Sequence, residues 1–210
     1  MAVKTLIISG GDYSPLPDAV FDRVIACDCG YLHARRMGIQ PDLIIGDFDS
    51  APVPEGEVPV ERFSSRKDDT DTMLAVKKAL SMGSREILIA CAFGGRLDHT
   101  VANIQSGAFI AGQGGTTRLF GAGTEAVIFG NGTELFPQRD CCSLSVFSLT
   151  ETAVISIKGA EYSGDEIQLS AAFPLGVSNA WAEDTISVTV QDGTVMVMIC
   201  DLTLESDRNI

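Results

Sequence analysis

The chain has 210 residues, 45% hydrophobic and 20% charged, enough for one large domain or two modest ones and without a compositional sign of disorder. Its formal net charge of −13 argues against nucleic acid or an anionic membrane as partner, and asks for a divalent cation if the ligand is a polyphosphate. No apolar stretch is long and unbroken enough to span a membrane, and the opening MAVKTLIISGGD reads as a first strand rather than a signal peptide.

Thr5 to Ser9 is that first apolar run, and Arg23 to Asp28 is the second. Tyr31 to Met37 reads as a helix ending at Gly38, and Leu43 to Gly46 as a third strand. From Thr70 the period becomes helical, with Met73, Val76 and Leu80 on the core face and Lys77 and Lys78 toward water. Glu86 to Cys91 returns to strand, and Leu97, Val101, Ile104 and Ala108 mark the apolar face of another helix. Strand then helix, repeated, predicts a parallel, Rossmann-like α/β sheet with helices on both faces.

Beyond about Leu119 the pattern changes to short runs: Val127–Phe129, Leu144–Leu149, Val154–Ile157, Ile186–Val190 and Val195–Ile199. Asn131-Gly132 and Asp192-Gly193 read as hairpin turns, and no convincing helix is seen in this part. The expectation is a second, antiparallel β-sandwich domain, residues 133–210, after an α/β domain of residues 1–132.

Acidic residues gather where the first part breaks. Asp28 follows RVIAC, Asp47 and Asp49 follow DLIIG, and Asp98 follows EILIACAFGGRL; Asp68, Asp69 and Asp71 open a helix. In parallel sheets ligands bind beyond the carboxyl ends of the strands. Carboxylates delivered there repel one another unless a hard cation sits among them, which points to a metal-bound phosphate ester. One of Asp68 and Asp69 is expected to be the helix N-cap, with Asp69 the less functional of the two, while Lys67 offers a compact charge for phosphate. Gly94-Gly95 before a helix lets backbone N–H groups approach an anion, and Arg96 can grip phosphate with two parallel bonds. Asp98 is read both as a cap for that helix and as a functional group. No Walker A pattern is present.

The six cysteines form no CxxC pair and lie mostly in strand-like runs, so they read as small buried groups in a reducing cytoplasm. Only His33 and His99 are available as imidazole ligands, which weakens a zinc reading. In the β-rich part, Ser178, Asn179 and Trp181 suit hydrogen bonding and stacking against a heteroaromatic ring, although Trp181 also reads as a core anchor.

In order along the chain, Asp28-Cys29-Gly30, GDFDS, KDDTD, GGRLDHTVANI, KGAEY and Gly-Val-Ser-Asn together resemble the thiamine pyrophosphokinase family of compact bacterial type. The resemblance implies ATP as co-substrate with Mg²⁺, thiamine as acceptor, and a cytoplasmic homodimer with thiamine between domains and subunits. It implies metal ligands at Asp28, Asp47, Asp49 and Asp71, and catalytic roles for Asp71, Arg96 and Asp98. The nucleotide set is Lys67, Asp68, Thr70, Arg96, His99 and Asn103; the thiamine set is Ser178, Asn179 and Trp181. Cys29 stands where the family more usually has Gly or Ser, and Ala180-Trp181 replaces a more common Glu-aromatic pair. Rival readings are a metal-dependent nucleotide phosphohydrolase and a non-catalytic thiamine- or nucleotide-binding regulator.

Overall fold

The computed structural model describes residues 3–17, 19–48, 58–64 and 68–206. Six strands, β1 (Val3–Ile8), β2 (Arg23–Cys27), β3 (Leu43–Gly46), β4 (Val60–Arg62), β5 (Ser84–Ala90) and β6 (Thr116–Gly121), pair in parallel in the order β4-β3-β2-β1-β5-β6. Consecutive residues Leu6, Ile7 and Ile8 are all fully buried, as are Ile44 and Ile45. Such unbroken apolar runs arise because both faces of a parallel sheet are covered. One face carries α2 (Asp71–Ser81) and α3 (Leu97–Gly112), whose Ala75, Val76, Ala79, Ile110 and Ala111 pack on Ile7, Ile25, Ile87 and Ile89. The other carries α1 (Gly30–Met37), where Ala34 and Met37 meet Leu6, Ile8 and Leu88.

The helix signals hold in part. Gly38 closes α1 in the left-handed conformation, as its position predicts. The cap of α2, however, is Thr70 rather than Asp68 or Asp69: its backbone is extended and its Oγ1 accepts from the Met73 N–H at 3.1 Å. The core face of α3 is also displaced. Leu97 and Val101 are exposed, Ile104 packs on the core as expected, and Asn103, Ser106, Gly107, Ile110 and Ala111 are buried beside it. Small side chains let this helix lie close to the sheet: a Cβ on Gly107 would stand 2.5 Å from Ile128 Cδ1. Apolar periodicity alone misplaces a face built from Gly, Ser and Asn.

The sheet does not stop at β6. A two-residue turn, Ala122-Gly123, reverses the chain into β7 (Thr124–Phe129), and β14 (Val195–Asp201), β9 (Cys142–Ser148) and β12 (Gly176–Asn179) add antiparallel neighbours to make ten strands. A separate antiparallel sheet has the order β11 (Gly164–Ser170), β10 (Thr152–Lys158), β13 (Thr185–Asp192), β8 (Gly132–Pro137). Its strands alternate: Ile186, Val188 and Val190 point inward between Ser187 and Thr189. They meet Val127, Phe129, Leu144, Val146, Val195 and Val197 of the large sheet in one shared core.

Neither Asn131-Gly132 nor Asp192-Gly193 forms a hairpin. β7 and β8 lie in different sheets, as do β13 and β14, so both turns carry the chain across the core from one layer to the other. Turn residues mark a reversal; which strands then pair depends on which faces must be buried. A short helix, α4 (Thr203–Ser206), which the sequence does not announce, comes after β14.

Candidate active site

β1 runs to β2, β3 and β4 on one side, and β5 resumes on its other side, so the strand order reverses between β1 and β5. Open α/β sheets form their crevice at that switch point, beyond the carboxyl ends. Asp28 leaves β2 here and Asp47 leaves β3. The start of α2 is docked above them by Ser9 Oγ, 3.1 Å from Thr72 Oγ1, and by the Cys27 thiol, which donates to the Asp71 carbonyl at 3.6 Å. Oxygen atoms of Asp28, Asp47 and Asp71 thereby come within 4.8 Å of one another, all three side chains being partly buried.

The local backbone explains the convergence. Asp28 has φ 37°, a left-handed conformation Asp tolerates better than most residues, while its N–H donates to the Ile45 carbonyl at 2.8 Å. Gly30 then starts α1 with its Cα so near β1 that any Cβ would lie 2.0 Å from the Ile8 carbonyl oxygen. The aspartate, the turn and the glycine form one device that brings a helix onto a strand and turns a carboxylate over the sheet edge. Phe48, left-handed as well at φ 57°, buries its ring against Ala26 and Ile44 beside Asp47.

The electrostatics of this trio are unfavourable by themselves. Burial pushes the Asp28 carboxyl above its ordinary value of 3.8, and the neighbouring Asp71 and Asp47 charges add to the rise, against hydrogen bonds from Cys29. Among the described residues, Asp28 Oδ1 is buried without a hydrogen-bond partner. Three close carboxylates at the amino end of a helix, one with an unclaimed oxygen, are a hard-oxygen set of the kind a divalent cation fits.

The remaining predicted residues fall in different places. Asp49 and Lys67 lie outside the described residues. Asp69 is held by Lys77, with Nζ to Oδ2 at 2.6 Å, and Asp68 is exposed. Arg96, not Asp98, is the N-cap residue of α3, without a side-chain cap bond. Its guanidinium grips Asp98 with Nε to Oδ1 at 3.1 Å and Nη2 to Oδ2 at 2.5 Å. Both groups are exposed, and this pairing holds the Asp98 carboxyl below its ordinary range. His99 is exposed, whereas Asn103 is buried and donates Nδ2–H to the Ala92 carbonyl at 2.8 Å. That bond locks α3 to the end of β5.

Ser178, Asn179 and Trp181 stand at the β12 edge of the large sheet, seven strand steps from β2. At roughly 4.8 Å per strand, this is on the order of 30 Å from the carboxylate trio. Asn179 is buried: Oδ1 accepts from the Tyr162 N–H at 3.0 Å and Nδ2 donates to the Tyr162 carbonyl at 2.9 Å. The Trp181 indole donates to the Phe136 carbonyl at 2.9 Å and packs on the shared core. Ser178 is exposed, with φ 58°, and its N–H is held by Ser145 Oγ at 3.0 Å.

Two residues of the crevice escape a reading of the sequence alone. Asp12 comes after Gly10-Gly11 at the end of β1, and its carboxylate lies against Gly94, where φ is +86° and a Cβ would come 2.2 Å from Oδ2. The strand–Gly–Gly–acid order that singles out other turns is present there too. Cys29 donates its thiol to Asp28 Oδ2 at 3.5 Å, which a census of CxxC spacings does not reveal.

Residues 20–113 match the family model described as thiamin pyrophosphokinase, catalytic domain. No curated protein matches the chain by sequence. Among solved structures, thiamine pyrophosphokinase from Bacillus subtilis superposes with a TM-score of 0.82 at 22% identity, covering 94% of this chain and 98% of its own. The thiamin pyrophosphokinase family protein from Enterococcus faecalis gives 0.79 at 25% identity, covering 95% and 99%. Thiamin pyrophosphokinase from Candida albicans gives 0.73 at 15%, covering 95% and 90%. At 22% and 15% identity the likeness establishes a common fold.

Proposed function

We propose that this chain, which matches the thiamin pyrophosphokinase catalytic-domain model over residues 20–113, acts as a member of that family and transfers the β,γ-pyrophosphoryl group of ATP to the hydroxyl of thiamine, giving thiamine diphosphate and AMP. The observation that carries this reading is the gathering of Asp28, Asp47 and Asp71 within the matched segment, with one buried oxygen unclaimed among the described residues.

Asp28, Asp47 and Asp71, joined by Asp49, are the residues that would hold Mg²⁺. The bound ion supplies charge neutralisation for the β- and γ-phosphate oxygens in a protein of net charge −13. Lys67 and Arg96 neutralise the remaining phosphate charge, Arg96 by exchanging its grip on Asp98 for a phosphate. Asp68, Thr70 and His99 line the path of the nucleotide, and Asn103 acts on it by fixing α3. The hydroxyl oxygen of thiamine bonds to the β-phosphorus as the bond from that phosphorus to the α–β bridging oxygen breaks, and AMP departs with that oxygen. Asp98 accepts a hydrogen bond from the hydroxyl and orients it, and the released proton passes to solvent. A carboxylate is anionic at neutral pH and a weak base, suited to orienting the hydroxyl rather than to strong base catalysis.

Ser178, Asn179 and Trp181 as the thiamine set lie too far along one sheet to serve the acidic crevice of their own chain. This supports a homodimer in which the β12 edge of one copy meets the carboxylate edge of the other. The reading keeps residues 1–132 as a Rossmann-like nucleotide- and metal-binding domain and 133–210 as a β-sandwich thiamine-binding domain. It also carries a cytoplasmic setting.

Incubation with ATP, Mg²⁺ and thiamine, with mass spectrometry of the products, is expected to yield thiamine diphosphate and AMP in equal amounts. AMP release that ignores thiamine overturns the proposal. Mixing inactive Asp47→Ala and Ser178→Arg proteins tests the shared site: random exchange restores about a quarter of the wild-type sites, and a monomer restores none.

A further inference from the structure

We propose that Cys29 is a positioning residue that aims the Asp28 carboxylate and thereby sets the affinity of the acidic site for a divalent cation. The inference rests on the reading of Asp28, Asp47 and Asp71 as the metal-holding set.

The main chain of Asp28 is fixed from both sides, its N–H donating to the Ile45 carbonyl and its own carbonyl accepting from the Tyr31 N–H at 3.1 Å. What the main chain leaves open is the direction of the side chain and the angle of the carboxylate plane, the latter a broad two-fold torsion. Cys29 restricts that angle. Its thiol donates to Oδ2 at 3.5 Å, and Oδ1 is left buried without a partner among the described residues. The oxygen with no hydrogen bond is the one available to an ion.

Cys29 is the N-cap residue of α1, but its side chain makes no cap hydrogen bond. Its Cβ sits beneath the turn after β1, 3.4 Å from where a Cβ on Gly10 would be, which restricts the side chain from above. A thiol is a weak donor, so its contribution is orientation of a ligand rather than bulk stability. Partners that orient metal ligands commonly change affinity by 10- to 100-fold when lost; for a thiol, roughly threefold to tenfold is expected.

The test is titration of the metal-free protein with Mn²⁺, read by water-proton relaxation, without nucleotide and without turnover. Cys29→Ala is expected to weaken Mn²⁺ binding about threefold to tenfold with an unchanged melting temperature, while Cys29→Ser, which keeps a donor, binds as wild type or more tightly. Asp47→Asn serves as the control that removes a ligand. If Cys29→Ala binds Mn²⁺ like wild type while Asp47→Asn does not, the positioning role is overturned and the metal site stands. If Asp47→Asn also binds like wild type, the metal reading itself falls, and this inference with it. Should Cys29→Ala fail to fold, methyl methanethiosulfonate gives an independent arm. It replaces the S–H with a mixed disulfide and releases methanesulfinate, so wild type should lose affinity severalfold and Cys29→Ser should not. Equal responses of the two proteins overturn the proposal.

Discussion

The carboxyl ends of β2 and β3 and the segment around β12 lie in the same sheet but treat their polar groups in opposite ways. At the first, three carboxylates are brought together, one oxygen has no partner among the described residues, and a residue other than glycine takes a left-handed turn to make this possible. At the second, the Asn179 amide, the Ser178 N–H and the Trp181 indole all have protein partners at ordinary distances. Buried polar groups without partners cost stability, and such groups persist where a ligand completes them. Among the described residues the acidic crevice thus leaves a polar atom unsatisfied, as a ligand site would, whereas the β12 segment is a surface already held in shape.

The largest expected effect tests the incomplete side. Asp47→Ala should lower turnover by about a thousandfold or more, with a melting temperature no lower than wild type in the absence of metal. A loss of fold in step with activity would erase the contrast. On the satisfied side the opposite is expected: Asn179→Ala leaves the Tyr162 N–H and carbonyl without partners and should cost about 2–3 kcal/mol in denaturant unfolding. The smallest effect sharpens the comparison by sign. Asp28→Asn should stabilise the metal-free protein by a few tenths to about 1 kcal/mol, given the partial exposure of the site. The folded carboxyl lies above its ordinary 3.8, so wild type suffers no penalty below that pH. The penalty grows as pH rises through the folded value and is complete at neutral pH, where the melting difference should be greatest. Excess Mg²⁺ should reverse the order of the two proteins.

The acidic edge was legible because parallel strands write themselves as unbroken apolar runs, so the residue that ends each run is known to sit at one edge. Asp28 after RVIAC and Asp47 after DLIIG are placed by that alone. Asp71 is reached from the sequence as part of a helix start, but its approach to the other two depends on Ser9 meeting Thr72, a contact between residues 63 apart. The N-cap assignment failed because Asp and Thr both serve as caps and only the main-chain torsion decides between them. The buried face of α3 was only partly legible: Ile104 packs on the core, but Asn103 and Gly107 carry much of the rest. Both supposed hairpins failed for a global reason: turn chemistry is local, whereas pairing is decided by which apolar faces must meet across the core.

The unbroken hydrogen-bonded lattice from β4 to β12 has one more consequence. Because strand spacing is fixed near 4.8 Å, the sheet acts as a ruler whose length is counted in strands and not in residues. Connecting loops can lengthen freely without altering the span between the two edges, but gaining or losing a single strand shifts one edge by a whole step. Any assembly that matches one edge to the other edge of a second copy therefore constrains the number of strands far more tightly than the identity of the side chains upon them.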